Sequence, residues 1–512
     1  MRAFPVMRQS FMWAIVTVII MTGGLFLAFK PHQAAPSRPN IIYIYADDLG
    51  YAELGCYGQQ KIRTPNLDQL AREGIRFTQH YTSMPVCAPA RCMLLTGRHG
   101  GHSYIRGNYE MGGFPDSLEG GQMPLYPGAF TIGRMLQQSG YKTACIGKWG
   151  LGMANTTGNP NEQGFDYFYG YLDQKQAHNY YPTHLWENGK PVPLNNPVIS
   201  VHQRLAPERA TPEGFAYYQG KDYAIDRMAQ KALAFVRQHR SEPFFLYLPY
   251  TAPHLSLQAP EDVVKEYVGK FDEKPYLGQQ GYASTPYPRA TYAAMITYMD
   301  KQIGALMQLL KELKIDDNTL VMFSSDNGAT FSVGGVEAAF FNSVGNLRGL
   351  KMDVYEGGIR EPMLARWPGK IRAGQTTGHV SIQYDLLATL AELTGYKQPF
   401  TTDGISFLPT LLGQPSSQKQ HAFLYWEYPE KGGQLAVRMG NWKAVKTDVR
   451  KNRSGLWELY DLDKDVGETS NVAAQHPDLI RQADAIVARE HTPAHINDWE
   501  IINPKTAPKA AN

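Results

Sequence analysis

The segment IIYIYADDLG at residues 41–50 gives the strongest indication of the fold, because an apolar run ends there in two aspartates and a turn. A short apolar run that stops at a turn signal is typical of a buried β-strand. The segment TLVMFSSDNG at residues 319–328 has the same form. Strands of an open α/β sheet carry their functional residues at their carboxyl ends. The two segments therefore predict strand ends whose polar side chains converge, namely Asp47, Asp48, Asp326 and Asn327.

Strands and helices alternate along most of the chain. Apolar runs predict further strands at residues 143–146 and 244–250. Amphipathic patterns predict helices at residues 131–139 and 292–313, and the sequence TPNLDQL opens another helix at residue 64. Alternation of this kind predicts an α/β fold with a mainly parallel sheet and helices on both faces.

The C-terminal part of the chain has a different pattern. Residues 414–420 are rich in glutamine and serine, which indicates a linker. Short strands joined by turns follow, and a helix over residues 479–490 closes the pattern. We therefore expect a large domain at residues 36–413 and a small α+β domain with an antiparallel sheet at residues 421–500.

Residues 1–35 are predicted to be a targeting segment rather than part of the fold. Arg2 and Arg8 precede an uncharged run at residues 11–29, and Lys30 follows it. A basic start before an apolar run directs export with the N-terminus held inside. The run is longer than a usual signal core of about 7–15 residues and almost reaches the roughly 20 that span a bilayer. A cleaved signal peptide and an uncleaved membrane anchor both stay open, and either one predicts that the rest of the chain is periplasmic or extracellular.

The composition argues against a nucleic-acid partner. The chain has 512 residues with 50 basic and 47 acidic side chains, a formal net charge of +3, and no block of like charge. A nucleic-acid surface needs a concentrated basic patch. Only four cysteines occur, too few for a disulfide scaffold in an exported protein of this size. We interpret Cys56, Cys92 and Cys145 as small buried apolar residues.

The segment CAPAR at residues 87–91, followed by LTGR at residues 95–98, contains the most informative cysteine. Cys87 stands at the start of a predicted helix, where the helix dipole and Arg91 favour an anion or a reactive group. A buried structural role would explain most lone cysteines in a loop. The two segments together, however, resemble the signature of the formylglycine-dependent sulfatases of the arylsulfatase type. The resemblance extends from about residue 38 to about residue 480.

The resemblance implies a large mixed, mainly parallel sheet flanked by helices, which is the fold of the alkaline phosphatase superfamily. It implies that a formylglycine-generating enzyme oxidises Cys87 to formylglycine (3-oxoalanine), whose hydrate attacks the sulfur of a sulfate ester. The sulfated intermediate then releases sulfate by breaking its C–O bond, which regenerates the aldehyde. The expected reaction is hydrolysis of an aryl sulfate or a sulfated carbohydrate to an alcohol and sulfate.

The polar side chains at the two strand ends suit a hard divalent cation. Each pair alone is ordinary turn chemistry. Oxygen donors of this kind favour Ca²⁺ or Mg²⁺ over zinc. By resemblance, the metal ligands are Asp47, Asp48, Asp326 and Asn327, with an oxygen from Cys87 after its modification. Calcium is the expected ion, with magnesium as the alternative.

Three further segments supply groups for binding sulfate. Lys148 lies in GKWG, His254 follows TAP, and Lys351 ends LRGLK. Each residue alone is better explained as a structural group or a solvated charge. By resemblance, Arg91, Lys148 and Lys351 oppose the charge of the ester. Asp326 would deprotonate the nucleophile, and His254, with Lys351, would protonate the departing alcohol.

Gly150 departs from the family pattern, which usually has a histidine two residues after the lysine. That histidine helps to position the hydrate or to remove its proton, so either another residue replaces it or the intermediate turns over differently. Polar and aromatic loops at residues 100–108 and 176–181 resemble loops of related enzymes. Arg106 and His178 in these loops are either substrate-pocket residues or residues that brace the loops.

Two other functions stay open on the sequence alone. A phosphonate monoester or phosphodiester hydrolase could use the same scaffold, because the arrangement around formylglycine accepts either anion. An inactive relative that binds sulfated glycans would be consistent with Gly150, although the other motif residues are all present.

Overall fold

The structure is a computed structural model that describes Met1 and residues 38–504. The predicted signal peptide or membrane anchor therefore lies outside the described residues, apart from Met1. In the part of the chain that is described, none of the helices combines the length and the apolar character needed to cross a bilayer. The chain from Arg38 onward clusters as one compact unit. The division into domains around residues 413–421 stays a prediction.

The strands are numbered along the chain and have these bounds: β1 (Asn40–Asp47), β2 (Ile75–Tyr81), β3 (Glu110–Gly112), β4 (Glu119–Gln122), β5 (Lys142–Lys148), β6 (Tyr167–Tyr171), β7 (His184–Glu187), β8 (Lys190–Pro193), β9 (Phe244–Pro253), β10 (Thr319–Ser325), β11 (Arg360–Arg366), β12 (Gln375–Thr377), β13 (Ser381–Ile382), β14 (Leu424–Tyr428), β15 (Gln434–Met439), β16 (Trp442–Lys446) and β17 (Glu458–Asp461).

The α-helices have these bounds: α1 (Pro65–Arg72), α2 (Cys87–Thr96), α3 (Ile132–Gln138), α4 (Pro212–Ala216), α5 (Ala224–Gln238), α6 (Glu261–Lys265), α7 (Pro288–Glu312), α8 (Ala338–Phe341), α9 (Glu356–Ile359), α10 (Asp385–Thr394), α11 (Leu408–Leu411) and α12 (Pro477–Glu490). The helix predicted at residues 292–313 thus begins four residues earlier, at Pro288. Proline suits the first turn of a helix, because its missing N–H needs no partner there.

The large sheet is mixed and mainly parallel, as the sequence and the resemblance predicted. Its strand order is β12-β2-β11-β10-β1-β9-β5-β6-β7-β8, and β13 also pairs with β2. The central strands β10, β1, β9, β5 and β6 are all parallel to one another. Antiparallel pairs flank them, β10 with β11 on one side and β6 with β7 on the other.

The central strand β1 is buried on both faces, which explains its continuous apolar sequence. Successive side chains of a strand point to opposite faces. Ile42 and Ile44 pack in the core that contains α1, α5 and α7, whereas Tyr43 and Tyr45 pack in the core that contains α2, α3 and α10. Helices therefore cover both faces of the sheet and hold its strand ends in fixed positions.

The C-terminal strands β14 to β17 form the predicted antiparallel sheet. One face packs against α12. The other face packs in a core that includes Val86, Ala90 and Met93, which lie in or next to α2. The C-terminal sheet thus supports the helix that begins with Cys87.

All four cysteines are free. Cys92 and Cys145 are buried, in agreement with their interpretation as small apolar residues. Cys56 packs against the apolar core but is only partly buried, so for that residue the expected burial is wrong. The reason is its position in a short turn at Gly55–Tyr57, where its backbone N–H donates to Asp68.

Candidate active site

Four neighbouring strands of the large sheet end at the same edge. β1 lies between β10 and β9, β5 follows β9, and all four are parallel. Asp47 ends β1 and Lys148 ends β5. His254 follows β9 and Asp326 follows β10. This is the edge at which parallel α/β sheets place their sites, so the topology itself gathers these side chains.

Cys87 is the first residue of α2 and is only 2% exposed. Its sulfur lies 3.4 Å from Oδ1 of Asp47, 3.9 Å from Oδ1 of Asp48 and 3.5 Å from Nζ of Lys351. Burial, reinforced by the Asp47 carboxylate, raises the pKa of the thiol well above its usual value. Because the thiolate is the reactive form of cysteine, the unmodified side chain is a poor nucleophile here.

The carboxylates of Asp47, Asp48 and Asp326 are buried side by side. Asp48 has a φ of 66°, a conformation that aspartate tolerates better than most residues. In this conformation its backbone N–H donates to Oδ1 of Asp326 at 3.0 Å. Burial and the charge of Asp47 raise the pKa of Asp326 to about 7. Carboxylates packed this closely need positive charge beside them.

The side-chain amide of Asn327 has a feature that fits a metal ion. Its Nδ2 donates to Oδ1 of Asp48 at 2.7 Å and to the carbonyl of Gly328 at 3.0 Å. Its Oδ1 is buried and, among the described residues, has no hydrogen-bond partner. Buried amide oxygens are normally satisfied, and a hard cation would satisfy this one. Four side chains here each offer one potential ligand atom, and these four atoms all lie within 4.8 Å of one another. The side chains are those of Asp47, Asp48, Cys87 and His254.

Two lysines face the carboxylates. Nζ of Lys148 lies 2.6 Å from Oδ2 of Asp47, and Nζ of Lys351 lies 2.9 Å from Oδ2 of Asp48. Burial alone would lower the pKa of each ammonium, but the neighbouring negative groups, chiefly Asp47 beside Lys148 and Asp48 beside Lys351, together outweigh burial and raise the pKa of both. Both lysines are therefore charged at neutral pH.

Arg91 is fixed by contacts on every side of its guanidinium. Nε and Nη2 lie 3.2 Å and 2.8 Å from Oδ2 of Asp326, and Nη1 donates to the carbonyl of Lys148 at 2.7 Å. The guanidinium carbon lies 5.6 Å from the centre of the Tyr45 ring. A cation that is already held in place is the arrangement that electrostatic catalysis requires.

Two stacked histidines border the cluster. Nδ1 of His254 lies 2.7 Å from the carbonyl oxygen of Leu255, so it donates there, and Nε2 lies 3.7 Å from Oδ2 of Asp48. The His178 ring stacks on His254 with centroids 5.0 Å apart, and its Nδ1 lies 3.1 Å from Nε2 of His202. Burial lowers the pKa of both stacked rings, that of His254 to about 4.

The chain matches a family model described as Sulfatase over residues 39–396, more than half of its length. The chain belongs to the sulfatase family. A second model, described as N-sulphoglucosamine sulphohydrolase, C-terminal, matches residues 350–486 of this sulfatase. That match includes the antiparallel sheet and the part of α12 up to residue 486.

Relatives align over almost the whole sulfatase. Arylsulfatase A of Homo sapiens is 34% identical, with 90% of this chain and 89% of that protein covered. The N-acetylgalactosamine-6-O-sulfatase of Bacteroides thetaiotaomicron is 29% identical, with 91% and 95% covered. The crystal structure of Ps i-CgsB in complex with k-i-k-neocarrahexaose gives a TM-score of 0.72 at 28% identity and covers 93% of this chain and 96% of that chain. The protein is therefore a sulfuric ester hydrolase with the alkaline-phosphatase-like fold.

The structure brings the residues singled out in the sequence into one group at the edge of the sheet. Their individual roles stay predictions. The members of the group are Asp47, Asp48, Cys87, Arg91, Lys148, His254, Asp326, Asn327 and Lys351.

Arg106 lies outside this group and braces its own loop. Its guanidinium pairs with Glu427 at 3.0 Å and donates to the carbonyls of Ser103 and Gly101 at 3.0 Å and 2.9 Å. Of the two interpretations that the sequence left open for Arg106, the structure therefore favours the bracing role. His178, in contrast, stacks against the site.

Sequence reasoning gave no role to two residues that the structure places in contact with the site. The Thr330 hydroxyl donates to Oδ2 of Asp48. Asn108 accepts the backbone N–H of Ala88 through Oδ1 at 3.1 Å. Thr330 follows Asp326 by four residues, so its place near the site could have been inferred from the sequence. Asn108 could not, because only the fold brings it to the start of α2.

Proposed function

We propose that this sulfatase removes sulfate from a sulfated sugar, with formylglycine derived from Cys87 as the nucleophile and calcium as the bound cation. The observation that carries the proposal is the place of Cys87, 3.4 Å from an oxygen of Asp47 and 3.5 Å from the ammonium of Lys351. An unmodified thiol stays protonated in this environment. Conversion by the host's formylglycine-generating enzyme would give residue 87 the reactive group that it lacks.

The proposed cation ligands are Asp47, Asp48, Asp326 and Asn327, with magnesium as the alternative ion. When bound, the cation offsets charge on the sulfate, and the hydrated formylglycine supplies the attacking hydroxyl. Three carboxylates face the three basic groups Arg91, Lys148 and Lys351. A divalent cation therefore gives the site a net positive charge, which favours a sulfate monoester anion.

The basic side chains would bind the sulfate oxygens and oppose the charge that develops as the S–O bond breaks. Their contacts with carboxylates and carbonyls hold them in place before the substrate arrives. Preorganised charge of this kind is usually the largest catalytic contribution. Asp326, oriented by Arg91, is the proposed acceptor of the nucleophile's proton.

His254 is the proposed proton donor to the departing alcohol. Its Nδ1 donates to the Leu255 carbonyl, which leaves Nε2 for the leaving oxygen. Burial holds the pKa of His254 at about 4. A bound sulfate anion would raise this pKa, because a nearby negative charge favours the imidazolium. The proton would thus be supplied when the substrate is in place, with Lys351 as a second donor.

The rings beside His254 support a sugar as the leaving group. Phe114 is 39% exposed and stacks on His178 with centroids 5.4 Å apart. An exposed aromatic ring next to a polar imidazole suits a pyranose, which has apolar faces and hydroxyls at its edges. The bacterial relative described above is also named for a sulfated sugar.

We also propose that the chain is exported. Arg2 and Arg8 before the apolar run at residues 11–29 support this location. N-terminal sequencing of the protein from fractionated cells would distinguish a cleaved signal peptide from a retained anchor.

The modification is tested by the mass of the tryptic peptide that spans residues 77–91. Protein from the native host is digested and measured with and without an aldehyde-trapping hydrazide. We expect the mass of formylglycine at residue 87 and a shift with the trap. An intact thiol in protein from the native host would contradict the proposal.

The reaction is tested by comparing a sulfate ester with a phosphonate monoester of the same leaving group. We expect the sulfate ester to be the better substrate, and we expect Cys87→Ala to abolish its hydrolysis. A clear preference for the phosphonate ester would overturn the proposed substrate class.

A further inference from the structure

The space beside Gly150, where the family usually has a histidine, is filled by two glutamines. Gly150 has a φ of 75°, and a Cβ at this position would lie 2.9 Å from Cγ of Gln174 and 3.2 Å from Oε1 of Gln122. The first distance is shorter than real Cβ contacts, so no histidine fits at position 150 while Gln174 keeps its place. The two side chains therefore occupy the region that the histidine would enter.

Both glutamines are buried, and both have unsatisfied amide atoms. Gln122 is 1% exposed and Gln174 is 2% exposed. Within residues 38–504, neither Nε2 nor Oε1 of Gln122 has a hydrogen-bond partner, and Oε1 of Gln174 has none. Buried amides are normally paired, because an unpaired one loses its hydration without compensation. Unsatisfied buried amides at this place call for an explanation, and a functional role supplies one.

Gln174 is connected to the start of the helix that carries the nucleophile. Its Nε2 lies 3.4 Å from Oδ1 of Asn108, and the same oxygen accepts the backbone N–H of Ala88 at 3.1 Å. The residue before α2, Val86, has no side chain that can cap the helix. Asn108 therefore acts as the cap from another segment, directly after residue 87.

The segment that carries Gln174 is itself held in place. Asp173 accepts the backbone N–H of Gly121 at 2.7 Å and that of Lys175 at 2.8 Å. These bonds tie the loop after β6 to the strand β4, which carries Gln122. Both glutamines thus reach Gly150 from supported backbone.

We propose that Gln174 replaces the absent histidine as the residue that positions the nucleophile. It fills the space next to Gly150 and, through Asn108, fixes the start of α2 at residue 87. This inference rests on the proposed formylglycine at Cys87. An amide, unlike an imidazole, does not change its charge near neutral pH, so Gln174 positions residue 87 without taking its proton. Proton removal is thereby left to Asp326.

The first test compares Gln174→Ala and Gln174→Glu with the wild-type enzyme on 4-nitrophenyl sulfate. We expect kcat to fall by about 10- to 100-fold in both, the size of effect known for supporting partners of active-site groups. KM should change by less than about threefold, because the sulfate-binding cations are untouched. Glu keeps the size of Gln but cannot donate to Asn108, so full activity of Gln174→Glu would contradict the inference.

The second test introduces the family's histidine at position 150. Gly150→His in the Gln174→Ala background loses the tightest contact of the new Cβ, which is the one with Cγ of Gln174, and its matched control is Gly150→Ala in the same background, which carries the same backbone strain. We expect the histidine variant to be at least about fivefold more active than the control. Its pH–rate profile should gain a limb near the ordinary imidazole pKa of about 6.5. Equal activities and equal pH profiles would overturn the inference.

A third measurement does not depend on activity. Melting temperatures are measured on protein that retains the unmodified cysteine at position 87. Gly150→His should lower the melting temperature more in the wild-type background than in the Gln174→Ala background, because the histidine and Gln174 compete for one space. An equal effect in the two backgrounds would show that they do not compete.

Failure of this inference can be distinguished from failure of the proposed nucleophile. The mass of the peptide with residue 87 is recorded for every variant, and conversion should match that of the wild type. If wild-type enzyme carries formylglycine and Gln174→Ala keeps wild-type kcat, the positioning role is wrong and the nucleophile stands. If residue 87 is an unmodified cysteine in active enzyme, the nucleophile is wrong, and the positioning role falls with it.

Discussion

The ammonium of Lys148 lies 2.6 Å from Oδ2 of Asp47, and the two side chains are 1% and 0% exposed. They come from the ends of β5 and β1, which are separated by β9. A buried ion pair is costly to form, and its geometry is fixed by the strands that carry it. The sheet therefore places Lys148 in contact with Asp47, which is one of the proposed metal ligands.

Replacing Lys148 by methionine should affect stability and activity together. Lys148→Met leaves the buried Asp47 carboxylate without its nearest cation, so we expect the free energy of unfolding without added metal to fall by about 3–5 kcal/mol. Calcium should reduce this loss, because it offsets the charge of Asp47. We expect kcat/KM for an aryl sulfate to fall by about 100- to 1000-fold. Urea unfolding with and without calcium, together with steady-state kinetics, measures both effects.

The control for this prediction is Lys142→Met at the other end of β5, where the lysine is exposed. We expect its free energy of unfolding to stay within about 0.5 kcal/mol of wild type. A Lys148→Met protein that is as stable and as active as this control would contradict the role of the ion pair.

Removing calcium should destabilise the enzyme, because the carboxylates at the strand ends lose their cation. At a calcium concentration of about 100 times Kd, binding should add roughly 2.7 kcal/mol to the free energy of unfolding. Asn327→Ala removes the amide oxygen that has no protein partner among the described residues, so the calcium-dependent rise in melting temperature should shrink. Asn346→Ala at an exposed position is the matched control and should leave the rise unchanged. An unchanged rise in Asn327→Ala would remove that residue from the ligand set.

The sequence predicted β1 and β10 because strands buried on both faces are continuous apolar runs. It did not predict β11, which carries Glu361 and Arg366 in a buried strand. Arg366 pairs with Asp316 at 2.7 Å, and that distant partner is what permits its burial. Charged residues inside a buried strand interrupt the apolar run by which a strand is recognised, so β11 and its antiparallel pairing with β10 were found only in the structure.

The site likewise contains residues that the sequence predicts and residues that it does not. Asp47, Cys87 and Asp326 lie in local motifs that the family resemblance identified in the sequence. Asn108 and Gln174 lie in two separate loops, and only folding brings Asn108 into contact with Gln174 and with the backbone of Ala88. Sequence alone identified the departure at Gly150 but gave no residue to fill it.

Lys443 should be essential for the stability of the contact between the C-terminal sheet and the main body. It is 0% exposed, and its Nζ lies 2.9 Å from Oε1 of Glu356 and 2.8 Å from Oε1 of Glu468. When Lys443 is lost, Glu356 keeps the cation Arg360, whereas Glu468 keeps only the backbone N–H of Glu356. We expect Lys443→Met to lower the free energy of unfolding by about 3–5 kcal/mol in urea unfolding.

The control for Lys443 is Lys446→Met on the same strand, β16, where the lysine is partly exposed. We expect Lys446→Met to lower the free energy of unfolding by less than about 1 kcal/mol. If the two variants unfold at the same urea concentration, the buried ion pairs of Lys443 do not stabilise the protein as proposed.

The ion pair between His421 and Asp385 should make stability depend on pH. Nε2 of His421 lies 2.8 Å from Oδ1 of Asp385. Burial lowers the pKa of His421, but the charge and hydrogen bond of Asp385 outweigh it and raise the pKa above 6.5. The folded protein thus binds this proton more tightly than the unfolded chain. The stabilisation is complete below pH 6.5 and is lost as the pH rises through the raised pKa.

His421→Gln tests this dependence through melting temperatures measured from about pH 5.5 to pH 9. The variant should be less stable than wild type at the acid end, and the difference should shrink at the alkaline end. His239→Gln, at a partly exposed position, serves as the control. A difference that grows with pH would have the wrong sign for a histidine stabilised in its charged form.

His178 should distinguish a sugar from an aryl leaving group. Its ring lies between His254 and Phe114, and its Nδ1 is paired with His202, so Nε2 is the atom available to a substrate hydroxyl. His178→Phe keeps the stacked ring but removes this nitrogen. We expect kcat/KM for a sulfated monosaccharide to fall by about 100-fold, because a buried hydroxyl would lose its partner. The value for 4-nitrophenyl sulfate, which has no hydroxyl to recognise, should change by less than about threefold. Equal losses of kcat/KM on both substrates would mean that His178 supports the site as a whole and does not recognise the sugar.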